Sequence, residues 1–186
     1  TGCNGLMGFE LVKHLKDQSA YEVFGLARSV NPSITTFTVD LSKDWSFADL
    51  PEKMDVIVHL AQSENFRNFP ESANETFLVN TYSTLRLLDY ARKSGVKKFV
   101  YASSGGIYGS SDEPLNEESD LQPVKQLGLY LGTKICSEVL LTNYTSFFEI
   151  NILRFFFVYG SRQNEKMFIP RLVYNIKHGN RITLHG

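Results

Sequence analysis

Cysteine is nearly absent. Two occur in 186 residues, Cys3 and Cys136, too few and too far apart for a disulfide framework or a zinc site. Nor is charge of one sign in excess: 19 Lys and Arg stand against 20 Asp and Glu, so no bulk field draws the chain to nucleic acid or an anionic membrane. No apolar run approaches the roughly 18 residues that a membrane span needs. The longest, around 152–159, is broken by Arg154. No signal-peptide pattern opens the sequence, and no repeat, low-complexity tract or linker divides it. The expected protein is soluble and cytoplasmic, with a small-molecule partner and no metal. What is present is the mixture of a globular domain, 42% hydrophobic, 21% charged and 13% aromatic, in a length that buries a sizeable core.

Short apolar runs alternate with stretches of helical period. The pattern predicts a helix over about 4–19, strands over 23–27, 35–39 and 56–61, and a long helix over 70–94 ended by Gly95. A strand over 98–102, a loop rich in Gly, Ser and acids over 103–123, a helix over 127–144 and a strand over 149–156 follow. Strands separated by such helices imply parallel βαβ units, hence an α/β fold with a Rossmann-type doubly wound parallel sheet. A dinucleotide-binding unit of this type carries a strand ahead of its glycine turn. Here the sequence opens directly on Thr1-Gly2, so the sheet is expected to lack its first strand and the chain to be a fragment.

Gly2, Gly5 and Gly8 recur at three-residue spacing where the first helix begins. Such a turn lets backbone approach a pyrophosphate closely and aims free N–H groups and a partial positive charge at it. A plain helix entry with close helix-to-strand packing explains the same spacing. The residue ending the second strand of such a unit faces the adenosine ribose. Here Arg28 and Ser29 stand there without a carboxylate, which leans toward NADP over NAD, because an arginine can pair with a 2′-phosphate. An arginine on a solvated loop is the alternative. Asp40, followed by Leu41, either accepts from an adenine amino group or caps a turn.

Tyr130 and Lys134 lie four residues apart on a predicted helix, so both project from one face. An ammonium beside a phenol lowers its pKa and makes it a usable acid/base. Ser103 and Ser104 follow the 98–102 strand, at the carboxyl edge where open α/β sheets bind ligands. Asn80 shares a helical stripe with Phe77, Thr84, Leu88 and Ala91, all expected to face inward. Its amide then needs a polar partner inside: either a structural hydrogen bond or the active-site proton network.

Taken in order, these segments carry a resemblance: Thr1-Gly2-x-x-Gly5-x-x-Gly8, His59-Leu60-Ala61, Asn80, Tyr101 to Gly109, Tyr130-x-x-x-Lys134 and Arg154 to Gly160. The sequence resembles the extended short-chain dehydrogenase/reductase family of sugar-nucleotide epimerases and dehydratases. The resemblance implies a tightly held NAD(P), a nucleotide-sugar substrate, catalysis by Ser104, Tyr130 and Lys134, and Lys134 also on the nicotinamide ribose; Asn80, read from its stripe, is the fourth candidate for the catalytic set. It places Leu6 and Met7 against the pyrophosphate and Leu60, Ala61 and Gln62 along the cofactor. Dehydratases of the family resemble one another in an acidic residue after the catalytic hydroxyl residue. Gly105 and Gly106 stand there instead, which disfavours dehydration. Phe157 replaces an Asn that contacts the nucleotide-sugar in many members. The expected division is a cofactor-binding domain over 1–160 and the start of a substrate lobe over 161–186, in a possible homodimer. An epimerase is the first reading, an NADPH-dependent carbonyl reductase the second, and a non-catalytic cofactor-binding regulator the third.

Overall fold

A computed structural model of the chain describes residues 1–160, 162–164 and 167–182. Among these residues five α-helices and five strands follow in the order α1 (Leu6–Lys16), β1 (Phe24–Ala27), β2 (Thr35–Thr38), β3 (Val56–His59), α2 (Ala73–Phe77), α3 (Ser83–Lys93), β4 (Lys98–Ser104), α4 (Gly128–Thr142), β5 (Glu149–Phe155) and α5 (Phe168–Lys177). Every ladder is parallel. β1 pairs with β2, and β4 lies between β3 and β5. Between these two sheets run Thr1 and Gly2: the Thr1 amino group donates to Val58 O at 2.7 Å and Gly2 N–H donates to Leu26 O at 3.2 Å. The α/β architecture and its parallel strands agree with the sequence expectation.

The central strand β4 is the most deeply placed, with Phe99 and Tyr101 buried against Leu88 and Ala91 of α3 and Leu141 of α4. Gly95 ends α3 as expected. It adopts φ +75°, and Val96 N–H closes back on Ala91 O at 3.0 Å, the left-handed stop that glycine takes without a Cβ penalty. Both cysteines are free, Cys3 buried beneath the glycine turn and Cys136 exposed on α4.

The predicted helix over 70–94 is interrupted. Between α2 and α3 a single π-helical turn spans Leu78–Tyr82. The extra residue rotates the inward face, so Thr76 is fully buried while Phe77, expected inside, is about half exposed. Asn80 sits in this turn and does face inward. Its Oδ1 accepts from Ser63 N–H at 2.9 Å and its Nδ2 donates to Thr133 Oγ1 at 3.0 Å, joining the segment after β3 to α4. Removing that side chain strands a buried N–H. Asn80→Ala is therefore expected to lower stability by about 1–3 kcal/mol, read by denaturant unfolding.

Candidate active site

Three carboxyl-edge segments and the first helix meet above the sheets. At the glycine turn, backbone runs against backbone: a Cβ on Gly8 would lie 2.1 Å from Gly2 O, and one on Gly2, at φ +70°, would lie 2.9 Å from Ala61 N. Neither position has room for a side chain. Gly5 begins α1 with no side-chain cap, and Leu6 and Met7 follow half-buried in the first turn. The turn thus offers uncapped N–H groups on a surface cleared of Cβ atoms, which fits a dinucleotide pyrophosphate.

The flanking residues have protein partners of their own. Arg28 forms an ion pair with Glu64 at 2.7 Å, both well exposed. That contact, together with the charges of Asp40 and Glu75, raises the guanidinium above its ordinary value. The Ser29 carbonyl and hydroxyl accept from Asn4 Nδ2 at 2.8 and 3.1 Å. Asp40 takes the turn role, accepting from Ser42 N–H and Ser42 Oγ, while Leu41 packs into the hydrophobic core. Leu60 and Ala61 wall the glycine turn, and Ala61 N–H donates to Thr1 Oγ1 at 3.2 Å.

Ser104 ends β4, and its Oγ accepts from Gly106 N–H at 3.2 Å. Tyr130 projects from α4 beneath Phe66, ring centres 4.5 Å apart, and its hydroxyl donates to Gln62 Oε1 at 3.0 Å. Lys134, one turn on, is 1% exposed and donates from Nζ to Ala102 O at 2.8 Å. Its Nζ lies 5.8 Å from the Tyr130 ring centre. Phe157 is 97% exposed, outside this cluster, whereas Phe156 packs on Gly105 and stacks with Tyr108.

The electrostatics differ from the sequence expectation. Burial pushes the Tyr130 phenol above its ordinary value, outweighing the Ser104 hydroxyl and the Arg67 charge, which both pull it down. Lys134 does not reverse this, because its ammonium is turned to the Ala102 carbonyl. The lysine itself is lowered to about 8, desolvation prevailing over the attraction of Glu138. A phenol, a hydroxyl and a readily deprotonated amine at one sheet edge suit the movement of a proton on and off a bound oxygen.

Several participants escaped sequence reasoning. Phe66 and Arg67 reach Tyr130 from the loop after β3, which carries no local signal of that approach. Glu138 pairs with Arg154 at 2.8 Å behind Ser103. Its spacing, four residues beyond Lys134, put it on the same helical stripe.

Comparison with known proteins bears on the whole chain. A family model described as NAD dependent epimerase/dehydratase family matches residues 1–186. The chain belongs to this family. Within it, the chain is 30% identical to an uncharacterised UDP-glucose epimerase, YtcB, of Bacillus subtilis, covering all of the chain and 64% of the relative. It is 34% identical to a GDP-6-deoxy-D-talose 4-dehydrogenase of Aggregatibacter actinomycetemcomitans over 93% of the chain and 56% of that protein. The fold superposes with a TM-score of 0.86 on UDP-glucuronic acid 4-epimerase of Bacillus cereus, solved with UDP-glucuronic acid and NAD, at 25% identity, over all of this chain and 64% of that one. The chain thus spans less than two thirds of the length of these family members.

The buried amine makes stability depend on pH. Between about 8 and the ordinary lysine value of 10.5 the unfolded chain binds more protons than the folded one, so stability rises with pH across that window and the penalty is full below it. Unfolding curves across this range should show wild type gaining on Lys134→Met. Parallel profiles would mean that the amine is not desolvated.

Proposed function

We propose that the protein is an NAD(P)-dependent sugar-nucleotide epimerase. The observation that carries this reading is the convergence of Ser104, Tyr130 and Lys134 on one sheet edge beside the glycine turn. Gly2, Gly5, Leu6, Met7 and Gly8 would hold the pyrophosphate, with Leu60, Ala61 and Gln62 along the rest of the dinucleotide and Lys134 on its ribose. A bound nicotinamide supplies the acceptor and later donor of hydride. Tyr130 takes the proton from the sugar hydroxyl and returns it after the sugar presents its other face, while Ser104 donates a hydrogen bond to the same oxygen. Burial raises the Tyr130 phenol and favours its protonated form, so the phenolate that takes the sugar proton draws on the Lys134 charge, 5.8 Å from the ring centre. Gly105 and Gly106 offer no acid for eliminating water. A one-way carbonyl reductase is the second reading, supported by the 34% identity to a 4-dehydrogenase.

In this reading residues 1–160 hold the cofactor and 161–186 begin the substrate lobe; of that segment Ser161, Glu165, Lys166 and 183–186 lie outside the described residues. A homodimer would use the outward faces of α3 and α4, where Leu85 and Val139 are exposed. Phe157, fully open to solvent, would meet the nucleotide-sugar. The NADP preference turns on Arg28. Its exposed pairing with Glu64 is worth about 0–1 kcal/mol, little enough for a 2′-phosphate of about −1.5 to −2 charge to displace.

Tyr130→Phe in the whole protein is expected to abolish turnover and leave cofactor affinity nearly unchanged, since the ring still packs; Lys134→Ala should damage both. Steady-state kinetics and calorimetric cofactor titration separate them, and wild-type rates in Tyr130→Phe would end the proposal. The same titration checks the dinucleotide: Arg28→Ala should weaken NADP about tenfold and leave NAD unchanged.

A further inference from the structure

Tyr130, Lys134 and Glu138 occupy successive turns of one stripe of α4, and the first two belong to the reacting set proposed above. Glu138 is buried at 7% exposure yet touches no open face of the site. Its Oε1 accepts from Ser103 Oγ and from Arg154 Nε at 3.2 Å, and its Oε2 from Arg154 Nη2 at 2.8 Å. Ser103 and Arg154 face one another across the β4–β5 ladder. Helix α4 therefore grips β4 at two consecutive residues, the Ala102 carbonyl through Lys134 and the Ser103 hydroxyl through Glu138, immediately before Ser104. From the other side, Arg154 Nη1 donates to Tyr108 Oη and the Glu117 carbonyl, closing the short helical turn Gly105–Tyr108 that follows Ser104. One carboxylate thus ties down the chain on both sides of the serine.

It is also the counter-charge behind a buried amine. The ionisable groups around Lys134 are Tyr130 and Glu138 on its own helix, Tyr101 on β4, His59 on β3 and, paired with Glu138, Arg154 on β5. Burial keeps His59 neutral and holds the Tyr101 phenol protonated. Among these neighbours only Glu138 bears the sign that favours the ammonium.

We propose that Glu138 is a positioning residue for the reacting set: its carboxylate, held by Ser103 and Arg154, fixes the backbone that carries Ser104 and supplies the counter-charge behind Lys134. The proposal rests on the epimerase reading of the site, so Tyr130→Phe serves as the control for that reading.

The test uses the whole protein with a sugar-nucleotide substrate. Glu138→Gln is expected to lower kcat about tenfold or more with KM within about twofold, since loosened backbone misplaces the reacting groups rather than the bound substrate. The alkaline limb of its kcat–pH profile should move down by about half a pH unit or more, because Arg154 then faces the Lys134 ammonium without a counter-charge. Removing both charges, with Glu138→Gln and Arg154→Gln in one chain, should return the limb toward its original position and leave kcat low. Titration of the Lys134 Cε resonance by NMR reads the same movement without turnover. If Glu138→Gln does not fold, Glu138→Asp takes its place, with an unshifted limb and a lowered kcat expected. A folded Glu138→Gln with wild-type kcat, or with lowered kcat but unmoved limb and Lys134 titration, overturns the proposal. So does a Glu138→Asp variant indistinguishable from wild type. Activity in Tyr130→Phe would instead overturn the reading of the site.

Discussion

The amide of Asn80 uses both its polar ends and its own backbone carbonyl in the interior, and the other polar contacts there are arranged around it. Its side chain joins Ser63 to Thr133, while its carbonyl oxygen accepts from Thr84 and Ser137 at 2.8 Å each. A π-helical turn makes this possible, because widening the helix frees a carbonyl from its usual i+4 partner and lets side-chain hydroxyls reach it. Such turns are less favourable than regular helix, so one persists where the interior contacts offset it. From Thr84 the same hydrogen-bonded run continues to His59 Nε2 at 3.0 Å, and from His59 Nδ1 to Thr1 Oγ1 at 2.7 Å. The Thr84 hydroxyl has one proton and gives it to Asn80 O, so His59 must donate from Nε2 and accept at Nδ1 from Thr1, whose oxygen in turn accepts from Ala61 N–H. Every member has one direction open to it, and the run from the glycine turn ends on the Asn80 carbonyl, to which Ser137 of α4 donates from the other side.

This interior explains why the site can be half open and still ordered. Thr133 donates back to the Tyr130 carbonyl, so the helical turn that carries the tyrosine is held from behind by the Asn80 contact. The phenol keeps access to the sheet edge, while the lysine one turn on is sealed against Tyr101 at 5.2 Å from its ring centre. The two ionisable groups thus experience different environments: the tyrosine gains its proton more readily than in water, the lysine loses its own more readily. Such divergence of neighbouring groups is the usual setting for acid/base work.

Local features were legible in the sequence, and features that depend on distant partners were not. The glycine turn, the stop at Gly95 and the Tyr130–Lys134 stripe each follow from spacing within a few residues, and the structure shows that turn, that stop and that shared helical face. The parallel strands followed from the alternation of apolar runs and helices. By contrast, the π turn leaves no compositional mark, so the inward stripe was read with Phe77 where Thr76 lies. Arg28 read as a free cation because Glu64 is 36 positions away in the chain. The direction of the Tyr130 shift was missed for a related reason: helical spacing reveals the neighbouring charge but not the desolvation that outweighs it. Gln62, expected along the cofactor, was not foreseen as the acceptor for the Tyr130 hydroxyl.

The disposition of the two thiols has a practical side. Cys3 is enclosed beneath the glycine turn, close enough that a Cβ on Gly25 would lie 2.8 Å from its Sγ, whereas Cys136 stands on the outer face of α4, two residues beyond Lys134. Within this chain a thiol-reactive fluorophore would therefore find Cys136 open and Cys3 closed. The dye would sit on the helix that carries Tyr130 and Lys134 but on the side away from them, and its emission would follow movements of that helix as ligands arrive.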